Sequence, residues 1–237
     1  MKIDRKILPL LSVVLLFSLP VMSRAQDETH MSNSSDDDTN TPPTLKALMA
    51  ESEEITNTVG IVLVKISPTL WAGKYEVTQD AYQAVTGDNP SAFTGGNRPV
   101  DSVTWNDAMD FCKQLTQQEQ TAKQLPDGWI YTLPTQDQWT NLVDDASLND
   151  AVMSLNNQRR SSTAPVGSRG ANSLGLYDMR GNVMEWCLDP QDKPYRVLRG
   201  GAWDTYIEIN ARLEFREYCA PDKTKNDYGF RVVLEPK

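Results

Sequence analysis

The sequence predicts an α+β domain with little regular secondary structure for its size. Two helices are announced by their own capping residues. Beyond about residue 160, Gly-punctuated loops and short apolar runs replace long periodic segments. Six tryptophans in 237 residues supply the side-chain anchors that such loops need. The elements follow in order. GIVLVKI, residues 60–66, is an apolar, β-branched run suited to a buried strand. WAGKYEVTQDAYQAV starts extended and passes, with Thr78 as N-cap, into a helix carrying Tyr82 and Val85. In DSVTWNDAMDFCKQL, Thr104 and Asp107 have capping-box spacing, with Asp in the place of Glu. Ala108, Phe111, Cys112 and Leu115 then fall at i, i+3, i+4 and i+7, one apolar face. YTLPTQDQWTNLV repeats the logic: Pro134 closes an extended segment, Thr135 caps and Gln138 sits at N3. Later short strands are expected in YRVLRGGAW and GFRVVLE.

The chain divides into three parts. In residues 1–25, the basic Lys2, Arg5 and Lys6 precede an apolar run from Ile7 to Met22. Ser23-Arg24-Ala25 then places small residues at −3 and −1 of a cut before Gln26. The run is short for a membrane span of about 20 residues. A cleaved signal peptide is therefore expected, with export to the periplasm or cell exterior and no stable membrane insertion. Residues 26–57 read as an acidic, largely disordered tether in which only TLKALMAESEE has the makings of a helix. Residues 58–237 form the domain. The formal charge is −9, and removing residues 1–25, with four basic and one acidic group, leaves −12. Such a surface repels phosphate backbones, so no nucleic-acid partner is expected.

Catalytic chemistry is constrained by what the domain lacks. The one histidine, His30, lies in the tether, so neither a two-histidine iron site nor a Ser–His or Cys–His pair can be built in the domain. Cys112, Cys187 and Cys219 are compatible with one disulfide and a buried thiol, or with three free thiols. The densest constellation is GLYDMRGNVMEW, residues 175–186. Asp178, Asn182 and Glu185 lie at i, i+4 and i+7, with the Arg180 carbonyl between the first two and Gly181 allowing a sharp turn. Hard oxygen donors of this kind suit Ca²⁺. The alternative is that Asp178 and Asn182 bond loop backbone while Glu185 pairs with Arg180 or Arg199. Trp105, Trp139, Trp186 and Trp203 read as loop anchors before they read as a ligand pocket. Arg199 and Arg231 read as buried carboxylate partners.

GKYEVTQDAY, RPVDSVTWNDAMDFC, LPTQDQW, TAPVGS, NSLGLYDMRGNVMEW, YRVLRGGAW and the terminal GFR occur in this order. Together they resemble the formylglycine-generating enzyme (sulfatase-modifying factor) domain family over roughly residues 60–235. The resemblance implies a fold related to the C-type lectins and a structural calcium ion held by Asp178, the Arg180 carbonyl, Asn182 and Glu185. It also implies a copper-binding cysteine pair. Counting back without gaps from Gly229-Phe230-Arg231 puts Glu208 and Leu213 at those two positions, and neither is a thiolate ligand for copper. Neither copper nor iron is therefore expected, and no catalytic residue is assigned. Met184 and Thr132 stand where the family usually carries tryptophan and arginine.

Three functions compete. The first is an exported, calcium-stabilised module binding a protein or glycan. Its recognition surface would lie on the irregular segment Asp204–Asn226, with Glu208, Glu214, Glu217 and Tyr218 as the groups to test. The second is an enzyme of divergent chemistry acting on sulfatases or another substrate. The third is a structural partner in an exported assembly.

Overall fold

Apolar alternation and four capped helices organise the chain around two sheets. The computed structural model describes residues 43–154, 160–188 and 193–237; the expected signal peptide and the expected tether up to residue 42 lie outside the described residues. The first sheet holds β1 (Glu54–Thr56), β2 (Val62–Ser67), β3 (Leu70–Gly73), β9 (Val233–Pro236) and β4 (Trp129–Thr132), in that spatial order, and is antiparallel throughout. The second holds β7 (Glu217–Cys219), β6 (Arg196–Arg199), β5 (Met184–Trp186) and β8 (Tyr228–Gly229), with β5 and β8 parallel.

The helices are α1 (Leu45–Glu51), α2 (Gln79–Thr86), α3 (Trp105–Thr121) and α4 (Gln136–Val143). Thr78 caps α2, and both expected capping boxes form, Thr104 with Asp107 and Thr135 with Gln138. Each satisfies two backbone donors that would otherwise be orphaned at a helix start. The apolar face read from sequence is the one buried: Ala108, Phe111, Cys112 and Leu115 are all within the core. Phe111 stacks on Tyr82 of α2 at 5.5 Å, and Phe230 meets both rings edge-on, tying the two helices to the strand leading into β9.

One boundary moves. The sequence placed residues 45–57 in the tether, yet α1 buries Leu45 and Met49, and β1 buries Ile55 while pairing with β2. Their acidic neighbours Glu51, Glu53 and Glu54 face solvent and masked three well-spaced apolar residues. The compact unit therefore takes in α1 and β1.

The tryptophans act as anchors. The indole N–H groups of Trp105, Trp186 and Trp203 donate to the carbonyls of Cys187, Val103 and Asn226, and Trp139 donates to the Glu185 carboxylate. Each bond joins segments far apart in sequence, which is how loops with few ladder bonds acquire fixed positions. All three cysteines are free thiols.

Candidate functional site

The stretch Gly175–Trp186 runs through the interior. Asp178 and Asn182 both adopt positive φ (55° and 62°), as does Gly181 (88°), so the chain turns tightly between them. A Cβ at Gly181 would lie 2.6 Å from the Val152 carbonyl oxygen, which only glycine avoids. This turn points Asp178, Asn182 and Glu185 inward, and all three are buried.

Glu185 meets Arg231. The Arg231 guanidinium donates to Glu185 Oε1 at 2.9 Å, to the Gly73 carbonyl at 2.6 Å and to the Tyr177 carbonyl at 2.6 Å. Trp139 is the second side chain donating to Glu185, its Nε1 2.9 Å from Oε2. The expected partners Arg180 and Arg199 are therefore displaced by Arg231, while Arg199 instead lies over the Trp139 ring and donates to the Leu213 carbonyl. Asn182 accepts from the Ala164 amide and donates to Glu76 at 2.6 Å. Asp178 Oδ2 accepts from the Gly167 amide, and its Oδ1 is buried without a partner.

Glu76 completes the cluster and was not singled out in the sequence. It accepts from the Val183 amide at 3.0 Å. Burial, followed by the nearby Asp178 and Glu185 carboxylates, pushes its carboxyl well above the usual range, so the buried cluster favours a proton on Glu76. Burial also raises Asp178. For calcium the donor set fits only in part. Asp178 presents a free oxygen and, with Arg180, lines a cavity of about 260 Å³. Glu185 is already neutralised by Arg231, and both amide atoms of Asn182 are engaged.

The segment from Asp204 to Asn226 behaves differently. Glu208 opens a short 3-10 turn (Glu208–Ala211), and Glu208, Glu214 and Tyr218 are exposed. Glu217 is partly committed inside the protein: it accepts from Lys225 at 2.6 Å and from the Tyr228 hydroxyl. Leu213, the other residue at a cysteine position, packs half-buried against the cluster around Trp139. Tyr206 (75% exposed), Ile209 (57%), Tyr218 (57%), Ile207 (44%) and Tyr195 (36%) are the large hydrophobic residues left in solvent among the described residues. Four lie on this segment, and the fifth, Tyr195, meets Tyr218 edge-on at 5.1 Å. Tyr206, Ile207 and Ile209 escaped the sequence reading, although three apolar residues within four of an otherwise polar loop were the available signal. Beneath the segment, Asp227 is buried beside Asp204, and burial and that second carboxylate push it up to about 6.

Comparison with known proteins accords with this geometry. Residues 50–236 match the model of the sulfatase-modifying factor enzyme 1-like domain. A chaperone protein, LppX, of Paenibacillus barcinonensis is 29% identical over 222 residues, covering 69% of this chain and 79% of that protein. The inactive C-alpha-formylglycine-generating enzyme 2 of Bos taurus is 30% identical over 158 residues, 57% of this chain and 50% of its own length. Among solved structures, Treponema denticola variable protein 1 superimposes with a TM-score of 0.60 at 25% identity, covering 78% of this chain and 94% of that one.

Proposed function

The chain belongs to the sulfatase-modifying factor enzyme 1-like domain family, and from that premise we propose that it acts as an exported, non-oxidase module that binds a protein or glycan. The observation that carries this is the gathering of exposed large hydrophobic residues, Tyr206, Ile207, Ile209, Tyr218 and Tyr195, on one segment and its immediate neighbour. Contiguous exposed apolar surface rimmed by polar groups marks interaction sites in soluble proteins. Tyrosines suit both partner classes, since their rings stack on apolar faces and their hydroxyls hydrogen-bond. The acidic Glu208 and Glu214 are exposed on the same segment. Two relatives lend support by name, a chaperone and an inactive enzyme, while others are named formylglycine-generating enzyme.

Calcium enters this reading as a stabiliser at the Asp178 end of the turn, approached from the cavity that Asp178 and Arg180 line. Its role would be to fix the turn, since Glu185 is held by Arg231.

The test is capture of partners from the native envelope fraction by the mature chain, compared with Tyr206→Ser/Ile209→Ser and Tyr218→Ala variants. A specific partner should be retained by the wild type and lost by the variants. Conversion of a Cys-x-Pro-x-Arg peptide in the presence of copper, seen as a mass change, would overturn the non-oxidase assignment.

A further inference from the structure

On the face formed by α3 and β4, two adjoining grooves share Gln120 and Gly128. The first, about 430 Å³, has an apolar floor of Met109, Ile130 and Tyr131. The second, about 480 Å³, is lined by Lys46, Lys123 and Asp127. Lys113 and Lys237 border the apolar groove. The pair thus presents a trough with an apolar floor adjoining a more polar chamber, with two lysines bordering each.

The lysines are distributed unevenly. Among the described residues, Lys65, Lys74, Lys223 and Lys225 pair with carboxylates, and Lys193 also has an electrostatic or hydrogen-bonding partner. Lys46, Lys113, Lys123 and Lys237 make no ion pair, and these are the four that border the grooves. Four lysines against one aspartate make this lining cationic in a chain whose formal charge is −9. Lys123 adds a second signal. It follows α3 with φ 55°, a left-handed position where glycine or asparagine is usual. A lysine there accepts backbone strain and sets an ammonium at the chamber.

A partner strand is disfavoured as occupant. β4 is the sheet's edge, yet its Tyr131 amide already donates to Thr116 and its Trp129 carbonyl accepts from Gln120, so α3 covers the free ladder groups. What remains unmatched is apolar surface in the first compartment and lysine charge bordering both. We propose that the double groove binds a single-chain anionic amphiphile, a long-chain carboxylate. Its tail lies over Met109 and Ile130, and its head lies between Lys46 and Lys123. The tail contributes through buried methylenes and the head through exposed, salt-screened attraction.

The experiment uses the mature chain and a fluorescent fatty acid displaced by oleate. Oleate should displace the probe, oleyl alcohol should bind roughly tenfold more weakly, and added salt should weaken oleate selectively. Lys46→Gln/Lys123→Gly should weaken oleate by about tenfold and leave the alcohol unchanged. Its melting temperature should hold, because glycine relieves the left-handed position. Met109→Gln should weaken both ligands. Failure of oleate to displace the probe, equal affinity for the alcohol, or undiminished binding by the folded lysine variant would each overturn the proposal. So would binding confined to anionic vesicles or to an acidic peptide.

Discussion

The buried cluster around Arg231 and the exposed run from Asp204 to Asn226 are both rich in carboxylates, yet they handle them in opposite ways. In the interior, Glu76, Asp178 and Glu185 are held by one guanidinium, backbone amides, the Asn182 amide and an indole. On the run, Glu208 and Glu214 stand in water beside Tyr206, Ile207 and Ile209. Removing one member of the first set leaves a buried charge uncompensated, whereas removing one of the second changes little but surface chemistry. The stretch that identifies the family is therefore scaffold, and the proposed binding face is a loop the scaffold holds in place.

The strongest way to break this contrast is Arg231→Met. It strands Glu185 in the core and should cost about 3–5 kcal/mol, read by urea denaturation. Adding Glu185→Gln should recover part of the loss. A loss below about 1 kcal/mol for the single variant would show that the cluster does not carry the scaffold.

Calcium sharpens the same comparison. At 100 times its Kd the ion should add roughly 2.7 kcal/mol, and chelation should lower the melting temperature. Its effect should grow with pH. The raised carboxyls of Glu76 and Asp178 contribute stability that is fully present below their ordinary values and lost as pH rises through their folded values. A cation offsets the charge that then appears. A melt unmoved by exhaustive chelation at about pH 8, with no metal in the purified protein, rules calcium out.

The capped helices were legible because their determinants are local: Thr104 and Asp107 meet across three residues, as do Thr135 and Gln138. The interior cluster was legible only in part. Asp178, Asn182 and Glu185 stood out through their spacing, but Glu76 reaches Asn182 across 106 positions and Arg231 reaches Glu185 across 46. No local pattern encodes those meetings, so Glu185 was offered Arg180 or Arg199 instead. Among the proposed recognition residues, exposure of Glu208, Glu214 and Tyr218 followed from a polar, irregular segment. The internal use of Glu217 depended on where Tyr228 and Lys225 fell.

Asp227 lies at the seam between the two regions. Its carboxyl, ordinarily near 3.8, is pushed up to about 6 by burial and by Asp204. Its contribution is therefore complete below the ordinary aspartate value and lost as pH rises through about 6. Asp227→Asn should stabilise the protein by about 1 kcal/mol near pH 8 and leave it unchanged near pH 4, as measured by denaturant melts at both. An equal effect at the two values would mean that the carboxylate is not what strains this seam.

The smallest stability effect should come from the exposed face. Tyr206→Ser and Ile209→Ser remove side chains that are mostly in water already, so each should change stability by no more than about 0.5 kcal/mol. Partner capture should nevertheless be lost, because the apolar area available for burial on binding is concentrated in these residues. The pairing of an unchanged melt with abolished capture is what separates a recognition surface from a packing defect. If both variants instead melted several degrees lower, Tyr206 and Ile209 would belong to the scaffold, and the division between the two regions would fail at its centre.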